Sequence, residues 1–231
     1  MVSTWGAGPL AAPAYLYRCV PMHTLRTSIY IDGFNLYYRA LKSSPYKWLD
    51  LEKLSTNLLQ PHNKIMEIKY FTARVSGSYD TSAPVRQKTY IRALEAYIPE
   101  LSVYYGHFLS HPVSVPRYPI NTHPSFVTVL KTEEKGSDVN LATHLLNDAW
   151  LDKYDCAIII SNDSDLAEPL KIIRKQTRKV IGIISPLING HPSRELLKHA
   201  HFMKRIRKGV LKISQLPSPI PGTKIKKPVV W

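Results

Sequence analysis

Four aspartates stand where a predicted strand ends or a predicted helix begins. Asp32 ends one β-rich run, Asp163 and Asp165 directly follow another, and Asp138 opens an amphipathic helical segment. Carboxylates gathered at one place repel one another unless protons or a cation neutralise them. All-oxygen ligation suits Mg²⁺ or Mn²⁺, and such ions can activate water for phosphodiester hydrolysis. The pattern therefore predicts a metal-dependent nuclease site.

Each acid also has an ordinary structural explanation. Asp165, with Glu168 three residues later, matches a helix N-cap and its capping-box partner. Negative charge at Asp138 is favoured in the first turn of a helix, and Asp32 before Gly33 is typical of a turn. These explanations account for the acids one at a time, whereas a metal site accounts for all four together.

The elements that must position these acids alternate along the chain. Strands are predicted at residues 28–32, 64–75, 101–110, 125–132, 156–160 and 179–185. Helices are predicted at residues 34–42, 49–59, 84–98, 137–151, 165–176 and 193–200, and a proline-rich loop at 111–124. This alternation indicates an α/β fold with a mostly parallel sheet covered on both faces. Ligands bind such sheets at the edge formed by the carboxyl ends of the strands, which is where the acids are expected to meet.

Composition and charge indicate which partners and which cellular compartment to expect for the protein. The chain has 231 residues, a net charge of +14 and a pI of about 9.7, which favours a polyanionic partner such as RNA. Cys19 and Cys156 make neither a disulfide framework nor a zinc site, which favours a cytoplasmic protein. Apolar runs fall short of the roughly 20 residues that cross a bilayer, so no membrane partner is expected. Basic runs lie at 171–179, 204–208 and 224–227, with Tyr37, Tyr38 and Arg39 beside the first acid as candidates for stacking on bases.

Four segments taken in order resemble the NYN domain of the PIN-like nuclease superfamily, which includes the bacterial LabA-like group. The segments are IDGFN, EKGSDVNLATHLL, SNDSDLAEPL and SRELLKHAHF, and the resemblance covers residues 28–206. It implies a PIN-like three-layer α/β/α sandwich and a metal-dependent endoribonuclease that uses Mg²⁺ or Mn²⁺. The implied substrate is RNA, single-stranded or structured, with transfer RNA among the candidates, and a homodimer is also expected.

The resemblance also assigns roles to particular residues. It implies that Asp32, Asp138 and Asp163 are the main metal ligands, and that Asp165 binds a second ion or acts through water. It implies a catalytic role for Asn35 in orienting substrate or water. Substrate-binding positions implied by the matching motifs are Asn35, Lys135, Ser161, Asn162 and Ser193. Asn162 replaces a glycine common in the family, and asparagine tolerates unusual backbone angles, so we expect the turn to survive.

The sequence predicts three regions and leaves two alternatives to ribonuclease activity. Residues 1–27 are expected to be a flexible extension, with Met22 as an alternative start, and residues 207–231 a basic, proline-rich tail that is flexible from residue 216. One alternative is a non-catalytic RNA-binding or regulatory adaptor on the same fold. The other, a phosphatase of the haloacid-dehalogenase type, is disfavoured because its chemistry needs a second acid where Phe34 stands.

Overall fold

The computed structural model describes residues 24–77 and 80–231. The predicted N-terminal extension therefore lies mostly outside the described residues. The last part of this extension is described: residues 25–27 belong to the first strand and pair with the strand on one side, and Thr27 also pairs with the strand on the other. The domain begins before residue 28, which corrects the predicted boundary.

The described chain forms seven strands and seven α-helices, which alternate except where the second helix follows the first and the fourth strand follows the third. The strands are β1 (Leu25–Asp32), β2 (Asn63–Ala73), β3 (Leu101–Pro116), β4 (Phe126–Lys135), β5 (Cys156–Ile160), β6 (Val180–Ser185) and β7 (Phe202–Arg205). The helices are α1 (Gly33–Leu36), α2 (Leu51–Leu58), α3 (Ala83–Tyr97), α4 (Ser137–Trp150), α5 (Ala167–Gln176), α6 (Arg194–Leu197) and α7 (Lys208–Ile213). A π-helical turn (Tyr37–Leu41) continues α1, and a 3₁₀ turn (Ser164–Leu166) precedes α5.

The strands form one sheet in the order β4-β3-β2-β1-β5-β6-β7. Every neighbouring pair is parallel except β3 and β4. From the central β1, the chain adds β2 to β4 on one side and β5 to β7 on the other. Strand order therefore reverses between β1 and β5, and their carboxyl ends form the crevice where open α/β sheets bind ligands.

Helices cover both faces of the sheet. Alternate residues of β1 face opposite layers: Ile29 and Ile31 belong to one apolar core and Tyr30 to the other. The first core includes buried residues of α2, α3 and α7, and the second includes those of α4 and α5. The predicted α/β fold, a three-layer sandwich with a mostly parallel sheet, is confirmed. Among the described residues, no helix is both long and apolar enough to cross a membrane.

Two expectations about irregular segments are wrong. Residues 111–116, predicted as loop, continue β3 and pair antiparallel with β4. Residues 216–231, predicted to be flexible, pack on the first core: Ile220 is fully buried, and the Trp231 ring lies 5.8 Å from that of Trp48. Neither β7 nor α7 was predicted.

Candidate metal centre

Asp32 is placed by the end of β1 and by two hydrogen bonds. It is only 5% exposed. Its Oδ1 accepts from the backbone N–H of Asn35 at 2.9 Å, which caps α1, and its Oδ2 accepts from the Ser161 hydroxyl at 2.9 Å. Because β1 and β5 pair in register up to Ile31 and Ile160, the residue after β5 lies directly beside Asp32.

Asp163 is tied to the same hydroxyl. The Ser161 oxygen accepts from the backbone N–H of Asp163 at 3.0 Å, so one fully buried serine contacts both acids. Asp163 also caps the 3₁₀ turn, since its Oδ1 accepts from the backbone N–H of Asp165 at 3.0 Å. These contacts fix the acid on the loop that leaves β5.

Asp138 comes from the other side of the cleft. It lies in the first turn of α4, which follows Gly136 at a φ of 96°, a left-handed conformation that favours glycine. The turn is held by Glu134, whose Oε1 accepts from the backbone N–H of Ser137 at 3.1 Å and from its hydroxyl at 2.7 Å. The reversal from β4 into α4 thereby brings Asp138 to the edge where β1 and β5 end.

The three acids converge on one point. One carboxylate oxygen each from Asp32, Asp138 and Asp163 lies within 4.8 Å of the others. An all-oxygen set of this kind is the ligand environment that Mg²⁺ and Mn²⁺ prefer. The donor chemistry therefore fits a hard divalent cation.

Burial and mutual repulsion make this acidic group costly without a cation. Burial, followed by the nearby charges of Asp32 and Asp163, raises the pKa of Asp138 to about 6. Burial also raises the pKa of Asp32, although hydrogen bonds from Asn35 and Ser161 oppose the shift. A bound cation would relieve both effects, because its charge favours the ionised carboxylates.

The acids line an open cleft of about 320 Å³ together with Phe34, Asn35, Tyr38, Arg39 and Glu134. Glu134 was missed by the sequence interpretation, which assigned the neighbouring Lys135 instead. Successive residues of a strand face opposite sides. Accordingly, Lys135 does not line the cleft, and its ammonium group pairs with Glu133 at 3.0 Å.

The remaining predicted site residues differ in whether they line the cleft. Asn35 lines the cleft, and its side-chain oxygen accepts from the backbone N–H of Asn162 at 3.1 Å. Asp165 is exposed and stands apart from the group of three acids. Ser161 and Ser193 contact protein groups rather than the cleft: Ser193 caps α6 and donates its backbone N–H to Asn162 at 2.9 Å.

The turn at Asn162 does not need the unusual backbone angles that asparagine was expected to tolerate there. Among the described residues, Asp152 is the non-glycine residue with a positive φ, so the backbone at Asn162 is ordinary. Its side-chain oxygen accepts from the backbone N–H of Ser193 at 2.9 Å and from the Ser185 hydroxyl at 3.3 Å. The asparagine thus joins the loop after β5 to the end of β6 and the start of α6.

Comparison with known proteins identifies the family. The family model described as the NYN domain matches residues 26–206. The chain is 34% identical to a Pseudomonas putida (strain DSM 28022 / S16) protein named 6-hydroxy-3-succinoylpyridine 3-monooxygenase, over 94% of this chain and 78% of that protein. A crystal structure of a Vibrio parahaemolyticus protein of unknown function shares the fold, with a TM-score of 0.53 at 16% identity over 80% of this chain and 95% of that one. The chain therefore belongs to the NYN domain family.

Proposed function

We propose that the protein is a metal-dependent endoribonuclease. The observation that carries the proposal is the convergence of Asp32, Asp138 and Asp163 at the switch point of the sheet. Two further facts support it: the chain has an NYN domain, and its net charge of +14 suits a polyanionic substrate. An acidic metal pocket within a basic protein has the charge distribution that a nuclease requires.

The residues in and beside the cleft would have different roles in the proposed reaction. Asp32, Asp138 and Asp163 would hold Mg²⁺ or Mn²⁺, which when bound supplies Lewis-acid activation and neutralises charge on a phosphodiester. The buried hydroxyl of Ser161 keeps two of these acids in fixed orientations. Arg39 lines the cleft and is exposed, so its guanidinium can contact a phosphate oxygen of the substrate.

The test is cleavage of defined RNAs by the parent protein and two matched variants. Single-stranded, structured and transfer RNAs are incubated with Mg²⁺ or Mn²⁺, and products are resolved by electrophoresis. Asp163→Asn removes one ligand charge at nearly constant shape, so we expect cleavage to fall by at least about a hundredfold. Asp165→Asn, the same change two residues away and outside the group of three, should cleave like the parent.

Two outcomes would contradict the proposal. Equal cleavage by Asp163→Asn and the parent would show that the acids are not the site. RNA binding that persists in EDTA, without turnover in either ion, would favour the adaptor alternative on the same fold.

A second candidate function comes from the Pseudomonas relative, whose name describes a monooxygenase acting on a hydroxypyridine. Its identity of 34% extends over 94% of this chain. The group of three acids supports monooxygenase activity less well than nuclease activity. Non-haem iron oxygenases combine two histidines with one carboxylate, whereas this group is three aspartates. The sequence also has no G-x-G-x-x-G dinucleotide motif. Loss of 6-hydroxy-3-succinoylpyridine that requires dioxygen and a reduced nicotinamide would establish this candidate, whereas RNA cleavage should persist without dioxygen.

A further inference from the structure

A second concavity, here called the aromatic cavity, opens beside the metal centre. Its volume is about 490 Å³, within the range of small-molecule sites. The π-helical turn, the end of β2 and the start of α3 surround it, and Phe34 and Tyr38 line both this cavity and the acidic cleft. A ligand in the aromatic cavity therefore lies next to the group of three acids.

Aromatic rings form much of its wall. Tyr70 and Tyr90 are 8% and 6% exposed and lie in fixed positions in the core, whereas Tyr38 is 58% exposed. The rings of Tyr37 and Tyr38 meet edge to face at 5.3 Å, and those of Tyr90 and Trp231 at 5.6 Å. Rigid rings around an open space favour a flat aromatic ligand, because such a ligand gains stacking and edge-to-face contacts.

The π-helical turn explains how two consecutive tyrosines reach the same cavity. In a regular α-helix, consecutive side chains diverge by roughly 100°. Here the backbone N–H of Lys42 bonds to the carbonyl of Tyr37 at 2.8 Å, five residues back, which widens the turn. Such turns are rare and occur frequently at functional sites.

The cavity is also positively charged, unlike the neighbouring cleft. Lys42, Lys47 and Arg86 line it, with Asp80 as its one acidic side chain among the described residues. Asp80 pairs with Arg86 at 2.5 Å, so that charge is compensated. Lys47 is already engaged, because it donates to the main-chain oxygen of Trp231 at 3.0 Å. The Lys42 ammonium instead lies 5.0 Å from the centre of the Tyr38 ring. Lys42 therefore keeps a charge that an anion can pair with.

We propose that the aromatic cavity binds a planar heteroaromatic ring that carries an anionic group, with the ring against the tyrosines and the anion near Lys42. Two sources share this chemistry: a nucleotide of an RNA chain, and a free heteroaromatic acid. The assignment to a nucleotide rests on the proposed function. In that case the cavity receives an unpaired base beside the scissile bond, and single-stranded RNA is the substrate class.

The test is calorimetric titration of the full chain in EDTA, so that the metal centre does not contribute. Ligands are uridine and adenosine 5′-monophosphates, and nicotinate as the free acid. Ribose 5-phosphate supplies the anion without the ring, and uridine supplies the ring without the anion. The variants Tyr38→Ala and Lys42→Met alter exposed residues of the cavity. Their matched controls are Tyr118→Ala, 90% exposed on the loop after β3, and Lys212→Met in α7.

We expect the ring-bearing anions to bind, and Tyr38→Ala and Lys42→Met each to weaken that binding about tenfold, while the controls bind like the parent. Tighter binding of the nucleotides assigns the ring to RNA, and tighter binding of nicotinate assigns it to a free acid. The proposal is overturned if no ring-bearing anion binds at millimolar concentrations. It is also overturned if ribose 5-phosphate binds equally well, or if the control variants lose as much affinity. Because no divalent ion is present, the result stands whether or not RNA is cleaved.

Discussion

Ser161 joins two of the three acids, because its hydroxyl donates to Asp32 and accepts from the backbone N–H of Asp163. Groups that orient metal ligands in this way typically contribute about 10- to 100-fold to metal affinity. We therefore expect Ser161→Ala to weaken Mn²⁺ binding by a factor in that range while the fold is retained. Calorimetric titration with Mn²⁺ measures this directly.

The matched control is Ser55→Ala. Ser55 is also fully buried, but its hydroxyl donates to the carbonyl of Leu51 within α2, away from the acids. Its removal should leave Mn²⁺ affinity unchanged. Equal affinity losses in the two variants would show that the Ser161 effect reflects general destabilisation rather than positioning.

At the residue scale, the sequence predicts the acids better than their neighbours. Residue type and place at element ends indicate all four aspartates, whereas the choice of Asp32, Asp138 and Asp163 as the main ligands came from the family resemblance. Glu134 and Lys135 could not be distinguished, because which face a strand residue occupies depends on how β4 pairs with β3 and enters α4. The bonds that Asn162 accepts from Ser185 and Ser193 likewise join segments distant in sequence.

Gly33 shows how tightly the first helix is packed where it leaves β1. A Cβ at this position would lie 2.7 Å from the carbonyl oxygen of Phe71 and 2.7 Å from Cζ of the Tyr70 ring. Backbone and buried ring cannot both move away without shifting Asp32, which immediately precedes the glycine. We expect Gly33→Ala to lower the free energy of unfolding by about 1–3 kcal/mol and to weaken Mn²⁺ binding.

Gly209→Ala is the matched control, since a Cβ there meets nothing within 4 Å and the residue lies in α7. Alanine is the better helix former, so this variant should be stabilised by about 0.5–1 kcal/mol. Urea unfolding of both variants separates the effects. A stable Gly33→Ala protein with normal Mn²⁺ affinity would contradict the close packing described here.

Elements with strong local signals were predicted, whereas the second half of β3, which is defined by its pairing with β4, was not. Asp50 caps α2 as expected, accepting from the backbone N–H of Lys53 at 2.9 Å. The segment at 111–116 was misjudged because Pro112 and Pro116 indicate a loop. Because the two prolines are four residues apart, their side chains lie on the same face of β3. This part of β3 pairs only with β4. A strand that pairs on one side tolerates proline where the missing N–H would point to the unpaired side.

An ion pair buried between β2 and α4 affects the whole molecule. Lys69 and Asp148 are 2% and 1% exposed, and their charged groups lie 2.5 Å apart. Burial alone would raise the pKa of Asp148, but hydrogen bonds from Lys69, Tyr30 and Lys153 lower it below the ordinary 3.8. The carboxylate thus contributes stability above that ordinary value, and the contribution is lost as pH falls through the lower, folded-state pKa.

Two results follow for Asp148→Asn. At neutral pH it should lower the free energy of unfolding by about 3–5 kcal/mol, because Lys69 is left buried without this carboxylate. Below pH 4 its stability should depend less steeply on pH than that of the parent. Urea unfolding across an acidic pH series tests both, and parallel pH profiles for the two proteins would contradict the role given to Asp148.

At the scale of the whole molecule, the sequence did not predict that residues 216–231 pack on the domain. The prolines and lysines of this segment are typical of a linker, which is why flexibility was expected. In the structure Trp48 donates its ring N–H to the carbonyl of Pro217 at 3.0 Å, and Ile220 is fully buried. Both contacts depend on a surface that forms only once the domain has folded.

The most direct test of the central claim is calorimetric titration of Mn²⁺ into the parent protein, Asp163→Asn and Asp165→Asn. If Asp32, Asp138 and Asp163 hold one cation between them, the parent and Asp165→Asn will bind Mn²⁺ with similar affinity, and Asp163→Asn will lose that binding while remaining folded. Unchanged Mn²⁺ affinity in Asp163→Asn would contradict the account.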